Sequence, residues 1–157
     1  MKKSFAIFLI LVMAFAFAGC GSSNNSNESA SNQKVERDLP EGNYSDMGSG
    51  TMFISTDGGT SEGGNVPVIY ADEDSSTTIM QIGLETEGFD GSILSYIYVD
   101  GVEVSKEQLA ETMTTIELKE AQLTKGKHIV EVVQYADDDT SSDMVTYKSA
   151  QYEIKIK

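Results

Sequence analysis

Cysteine, histidine, tryptophan and proline are almost missing from this chain. Its 157 residues hold one Cys, one His, two Pro and no Trp. A single Cys excludes an intrachain disulfide, and a single His excludes metal sites built on several imidazoles. Bases are scarce as well: 11 Lys+Arg stand against 25 Asp+Glu, a formal net charge of -14. A chain so poor in cations cannot displace counterions from phosphates, which argues against nucleic acid as a partner. Charge alone does not draw it to anionic lipid either. Neither a His-Glu-x-x-His helix nor a Gly-x-x-x-x-Gly-Lys loop occurs. The length suits one domain with tails.

What is present begins with an address. Lys2 and Lys3 precede an apolar run from Phe5 to Ala18. That run falls short of the roughly 20 residues an ordinary membrane span needs. A basic start, a short apolar core and small residues at its end predict a cleaved secretory signal peptide over residues 1–19. Without it the chain has nine bases against 25 acids, or -16. Phe17-Ala18-Gly19-Cys20 resembles the lipobox of bacterial lipoproteins, with Phe17 where that family usually has Leu. The resemblance implies a diacylglycerol on the Cys20 thiol, cleavage before Cys20, and a membrane partner reached through lipid. Two or more acyl chains hold a protein to a bilayer stably where one does not.

Residues 20–43 follow as an expected tether. Gly21 to Asp38 reads GSSNNSNESASNQKVERD, too polar to offset its chain entropy by burial, and so predicted to be disordered. As a flexible coil, about 18 residues span roughly 23 Å, and about 60 Å at full stretch. The folded domain is placed at residues 44–157.

From Tyr44 onward, short apolar runs alternate with turn residues, the mark of an all-β domain. Strands are expected at Thr51–Thr56, Val66–Ala71, Thr77–Leu84, Ile93–Val99, Val102–Val104, Thr115–Leu118, Lys127–Tyr135 and Met144–Ile156. Pro67 sends its strand to a sheet edge, because it lacks a backbone donor. Asp100-Gly101 between apolar runs predicts a tight hairpin. Ser105-Lys106-Glu107-Gln108 has capping-box spacing and predicts one short helix ending by Glu111. Leu123 is expected to plug the core below a turn at Lys125-Gly126.

Seven to eight strands in such a length fit a β-sandwich. Tyr96-Ile97-Tyr98-Val99-Asp100-Gly101 resembles the C strand and turn of bacterial immunoglobulin-like modules. Leu123 to Val132 resembles their E–F corner and F strand. The resemblance covers most of residues 77–157 and implies an immunoglobulin-like β-sandwich, although the antibody-type Cys pair and Trp are absent. A small open β-barrel remains the alternative.

Three groups of residues are candidates for function. In the immunoglobulin-like order, Glu85, Glu87 and Asp90 lie near Asp137, Asp138, Asp139 and Asp143 at one end of the sandwich. Converging carboxylates of this kind supply the oxygen shell of Ca²⁺, the one cofactor the sequence suggests; adjacent acids also serve as plain solvated loops. Tyr96 and Tyr98 share a strand face, as a binding platform or as the margin of the core. His128, the only imidazole, is expected half-exposed at the start of a strand. No catalytic residues emerge. The function expected is non-enzymatic: a membrane-anchored, outward-facing module binding an envelope protein or wall component. The alternatives are an accessory subunit of a membrane complex or a Ca²⁺-stabilised surface domain.

Overall fold

A computed structural model describes residues 36–73 and 79–157. The signal peptide, Cys20, most of the tether and the segment 74–78 lie outside the described residues. Among the described residues nine strands form two sheets. In chain order they are β1 (Thr51–Thr56), β2 (Gly59–Thr60), β3 (Val68–Ala71), β4 (Met80–Glu87), β5 (Ser95–Val99), β6 (Val102–Glu107), β7 (Thr112–Leu118), β8 (Gly126–Tyr135) and β9 (Met144–Ile156). One sheet has the order β2-β1-β4-β7 and the other β3-β9-β8-β5-β6. Chain direction alternates within both sheets except where β3 joins β9 in parallel. Strands β4 and β7 share one sheet while β5, β8 and β9 share the other, the connectivity of an immunoglobulin-like β-sandwich.

Alternation builds the core. Met52, Ile54, Ile82, Leu84, Ile116 and Leu118 of one sheet meet Ile97, Val99, Val130, Val132, Tyr152 and Ile154 of the other. Leu123 fills the corner before β8, almost fully buried. At the Asp100-Gly101 hairpin both residues take positive φ, 53° and 77°, as a type I′ turn demands. Strand β3 lies at a sheet edge, directly after Pro67.

The expected helix after Ser105 is not formed. Ser105, Lys106 and Glu107 continue β6, in register with Ile97, Tyr96 and Ser95 of β5. The Ser105 hydroxyl donates to Glu107 at 2.9 Å and caps nothing. Strand pairing overrides a local capping signal worth about 1 kcal/mol. Short 3-10 turns lie instead at Glu62–Gly64 and at Glu120–Leu123, and in the second the Lys119 amide donates to Gln122 Oε1 at 2.9 Å. Strand β4 also runs further than expected: Thr86 is buried between exposed Glu85 and Glu87, so both glutamates belong to a strand.

Packing starts before Tyr44. The amides of Asp38 and Leu39 both donate to the Gly101 carbonyl at 2.9 Å, and Arg37 Nη1 donates to the Asp100 carbonyl. From that anchorage the chain crosses the outer face of the five-stranded sheet and pairs Met47 with Tyr147. Gly48 takes φ 72°, and a Cβ there would collide with the Val145 carbonyl. Only glycine passes β9 this closely. Residues 37–47 thus form a strap over the sheet, and Leu39 is fully buried beneath it.

Candidate functional site

Tyr96 and Tyr98 do not form an open platform. With Leu39, Val133, Tyr135 and Tyr147 they make a second small core between strap and sheet, and Tyr98 is only 1% exposed. Tyr96 meets Tyr135 edge-on at 5.4 Å between centroids, and Tyr44 of the strap covers Tyr147 at 5.1 Å. Burial pushes the Tyr98, Tyr135 and Tyr147 hydroxyls above the ordinary phenol range. The sequence places these rings on one face correctly, but the segment that covers them lies upstream of the expected domain.

Beneath the same strap, Glu131 is 3% exposed. One carboxylate oxygen accepts from the Tyr147 hydroxyl at 2.8 Å, and Oε2 has no partner among the described residues. On the opposite face of β8, buried Gln134 donates to the Asp90 and Ile93 carbonyls and to Ser95 Oγ. These contacts hold the β4–β5 loop from inside.

The two acidic loops do approach each other, yet their carboxylates are turned to local work. Asp138 Oδ1 accepts from the Leu94 amide, and the Asp138 carbonyl accepts from the Tyr96 hydroxyl, both at 2.6 Å. Asp90 Oδ1 accepts from the amide and hydroxyl of Ser92, and Asp139 Oδ1 from those of Ser141. The Ser92 hydroxyl, then its amide, holds Asp90 below the usual carboxylate range; the Ser141 amide, then its hydroxyl, does so for Asp139. Asp137 and Asp143 are exposed in the β8–β9 loop, and Glu85 and Glu87 point outward from β4. Among the described residues, no three His, Cys, Asp or Glu converge closely enough to hold a metal ion. Among the described residues the expected Ca²⁺ shell is therefore not assembled: Asx turns engage Asp90 and Asp139, Asp138 holds the Leu94 amide, and Glu85 and Glu87 stand along β4. Millimolar Ca²⁺ is expected to leave the melting temperature unchanged, and a rise reversed by chelator would reinstate the calcium reading.

His128 is buried, 7% exposed, not half-exposed as expected. Its Nδ1 lies 2.7 Å from Asp100 Oδ2 and its Nε2 2.7 Å from the Thr124 carbonyl. The ring stacks on Tyr152 at 5.0 Å. Asp100 Oδ1 also accepts from the Ile129 amide. Burial alone would lower the imidazole pKa, but the hydrogen bond to Asp100, then that to Thr124, holds it above the ordinary histidine value. No nucleophile is among these partners, so the group serves as a structural clasp.

One motif escapes a reading by composition. Gly59-Thr60-Ser61-Glu62-Gly63 has the Gly-x-Ser-x-Gly spacing of a nucleophile elbow. Ser61 stands between β2 and a single 3-10 turn at Glu62–Gly64, itself broken by Gly63 at φ 72°, instead of heading an α-helix, and it is 8% exposed with its Oγ accepting from the Ile54 amide. Its hydroxyl oxygen pins β1, and His128 is committed to Asp100 and Thr124.

The open surface is the outer face of the four-stranded sheet. Phe53, Glu85 and Met113 stand in one cross-strand row, and Ser55, Gly83 and Thr115 in the next. Met113 is 78% exposed. Strands β1, β4 and β7 carry Glu85, Glu87 and Glu117 on this face and no base at all. Every lysine within a described strand (Lys106, Lys127, Lys148 and Lys155) belongs to the other sheet.

No family model and no curated protein match this chain. Among solved structures it is similar to fibronectin(III)-like modules of Clostridium thermocellum CbhA, at 19% identity and a TM-score of 0.38, over 70% of this chain and 48% of that one. It is also similar to a CARDB domain from Pyrococcus furiosus, at 9% identity and a TM-score of 0.37, over 69% of this chain and 97% of that one. The chain thus spans about half the length of the first of these. The fold assignment stands on the strand order itself.

Proposed function

We propose that this chain is a lipid-anchored, outward-facing binding module that recognises an envelope protein or wall component and catalyses no reaction. The observation that carries the binding role is the asymmetry of the sandwich. One outer face is sealed by the strap, while among the described residues the other stays open, with exposed Met113 and half-buried Phe53 set among Glu85, Glu87 and Glu117. Exposed apolar side chains rimmed by one sign of charge suit a protein partner. The anchor rests on Lys2, Lys3, the Phe5–Ala18 run and Phe17-Ala18-Gly19-Cys20.

Two experiments test the two halves of this reading. Cys20→Ala is expected to move the protein from the membrane fraction to the soluble extracytoplasmic fraction; a variant held at the membrane by the same lipid would overturn the anchor. A photo-crosslinker at Met113 in living cells is expected to trap one defined envelope component, and Glu85→Lys is expected to abolish the adduct without lowering the melting temperature. Crosslinks spread evenly over many proteins, and unchanged by Glu85→Lys, would end the binding reading.

A further inference from the structure

Each sheet has two edges, and three of the four are guarded. Strand β2 has two residues, and β3 has four and follows Pro67. Strand β6 breaks register opposite Ile97 and Tyr98 and carries Lys106. Short edges, prolines, bulges and lysines are the devices that keep foreign strands from pairing. Strand β7 has none of them. Its seven residues run in unbroken antiparallel register with β4, from Met80–Leu118 to Thr86–Thr112. The sequence TMTTIEL holds no Pro, Gly or Lys and is rich in the β-branched residues that favour strands. Along this edge lies a groove of about 220 Å³ lined by Val104 and Ser105 of β6, by Thr115, Ile116 and Glu117 of β7, and by Lys119.

We propose that β7 is a docking edge that takes one further strand, an extended cationic segment of the partner protein. This deepens the binding role and rests on it. The pleat sets the two faces of the incoming strand. Residues on one side enter the groove against Val104 and Ile116, where small apolar or Thr side chains fit. Those on the other side continue the open face beside Met113, Thr115 and Glu117. Within β1, β4 and β7 that face holds three glutamates and no base, Lys119 lying just past the end of β7, so Lys or Arg at alternate positions completes it. A second copy of this chain is the weaker occupant, because pairing β7 with itself joins two uncompensated acidic faces. Main-chain hydrogen bonds supply affinity and the alternate cations supply choice.

The test uses the full chain in detergent and an octapeptide, Lys-Val-Lys-Thr-Lys-Val-Lys-Thr, labelled for fluorescence anisotropy. Saturable binding is expected, with slowed hydrogen exchange confined to the Thr112–Leu118 amides. N-methylation of alternate peptide amides, which leaves the protein untouched, is expected to abolish it. The Glu85→Lys and Glu117→Lys pair is expected to weaken binding about tenfold, since Glu117 on β7 directly flanks the incoming strand, Glu85 on β4 lies one strand further in, and both reversals replace attraction by repulsion. Asp139→Lys, in the β8–β9 loop, should change it little. No binding, protection away from β7, indifference to N-methylation, or a sedimenting dimer already paired through β7 would each overturn the proposal. If the peptide fails while the specific Met113 crosslink persists in cells, the edge proposal alone is lost. If both fail, the binding role falls with it.

Discussion

A chain shortened to begin at Tyr44 is expected to lose much of its stability, although the removed segment reads as tether. Leu39 is fully buried against Tyr96, Tyr98, Val133, Tyr135 and Tyr147, and the Asp38 and Leu39 amides are anchored on Gly101. Truncating a buried leucine costs about 2–5 kcal/mol, the larger values where the cavity cannot collapse. Leu39→Ala should therefore remove about 2–4 kcal/mol, seen as a lower urea midpoint at unchanged slope. Glu41→Ala, on the exposed part of the strap, should stay within about 0.5 kcal/mol. The truncation removes Leu39 together with its anchor and bares the tyrosine face. It should cost more than Leu39→Ala and bind a hydrophobic dye. A Leu39→Ala midpoint equal to that of the parent would mean the strap lies outside the cooperative unit.

The same strap shows where sequence reasoning reaches its limit here. Period-2 alternation locates the strands of the sandwich because half-buried sheets force apolar residues onto one side. Met144–Ile156 is found at the expected bounds, and Asp100-Gly101 turns as its positive φ requires. Leu39 is a single apolar residue among polar ones, with no period to mark it, so its burial is visible only once the tyrosine face exists to receive it. Ser105 carries a genuine local capping pattern that loses to pairing with Ile97. The acidic loops are brought near each other as the strand order implies, but one short turn decides whether an aspartate faces a cation or its neighbour's amide. The docking edge is an extreme case. Every residue of TMTTIEL reads as ordinary strand, and its meaning comes from having, among the described residues, no paired strand on one side.

Stability is expected to fall as pH rises from about 5.5 to 9, and His128 is the group responsible. Both ring nitrogens face acceptors, the Asp100 carboxylate and the Thr124 carbonyl, each at 2.7 Å. Only the imidazolium can donate to both. Its folded pKa is accordingly raised, whereas an unfolded histidine titrates near about 6.5. The stabilisation is thus fully present below the unfolded value and is lost as pH climbs through the folded one. This is the chain's only histidine, and carboxylates and phenols of the unfolded chain titrate outside that window. The difference in slope between the parent and His128→Gln over these limits therefore reads this side chain.

Hydrogen bonds to charged groups contribute about 1.5–3 kcal/mol. His128→Gln should cost about that much at pH 5.5 and less at pH 9, where the parent retains one of the two bonds and the Tyr152 stack. Asp100→Asn tolerates the positive φ of the turn but removes the carboxylate, and should flatten the pH profile while destabilising at acid pH. Because Asp100 and Gly101 also hold Arg37, Asp38 and Leu39, the loss should reach the strap. Amide exchange at Leu39 should quicken at pH 9 beyond the intrinsic base-catalysed rate. A parent protein whose urea midpoint rises between pH 5.5 and 9 would reverse the sign and rule out a doubly donating His128.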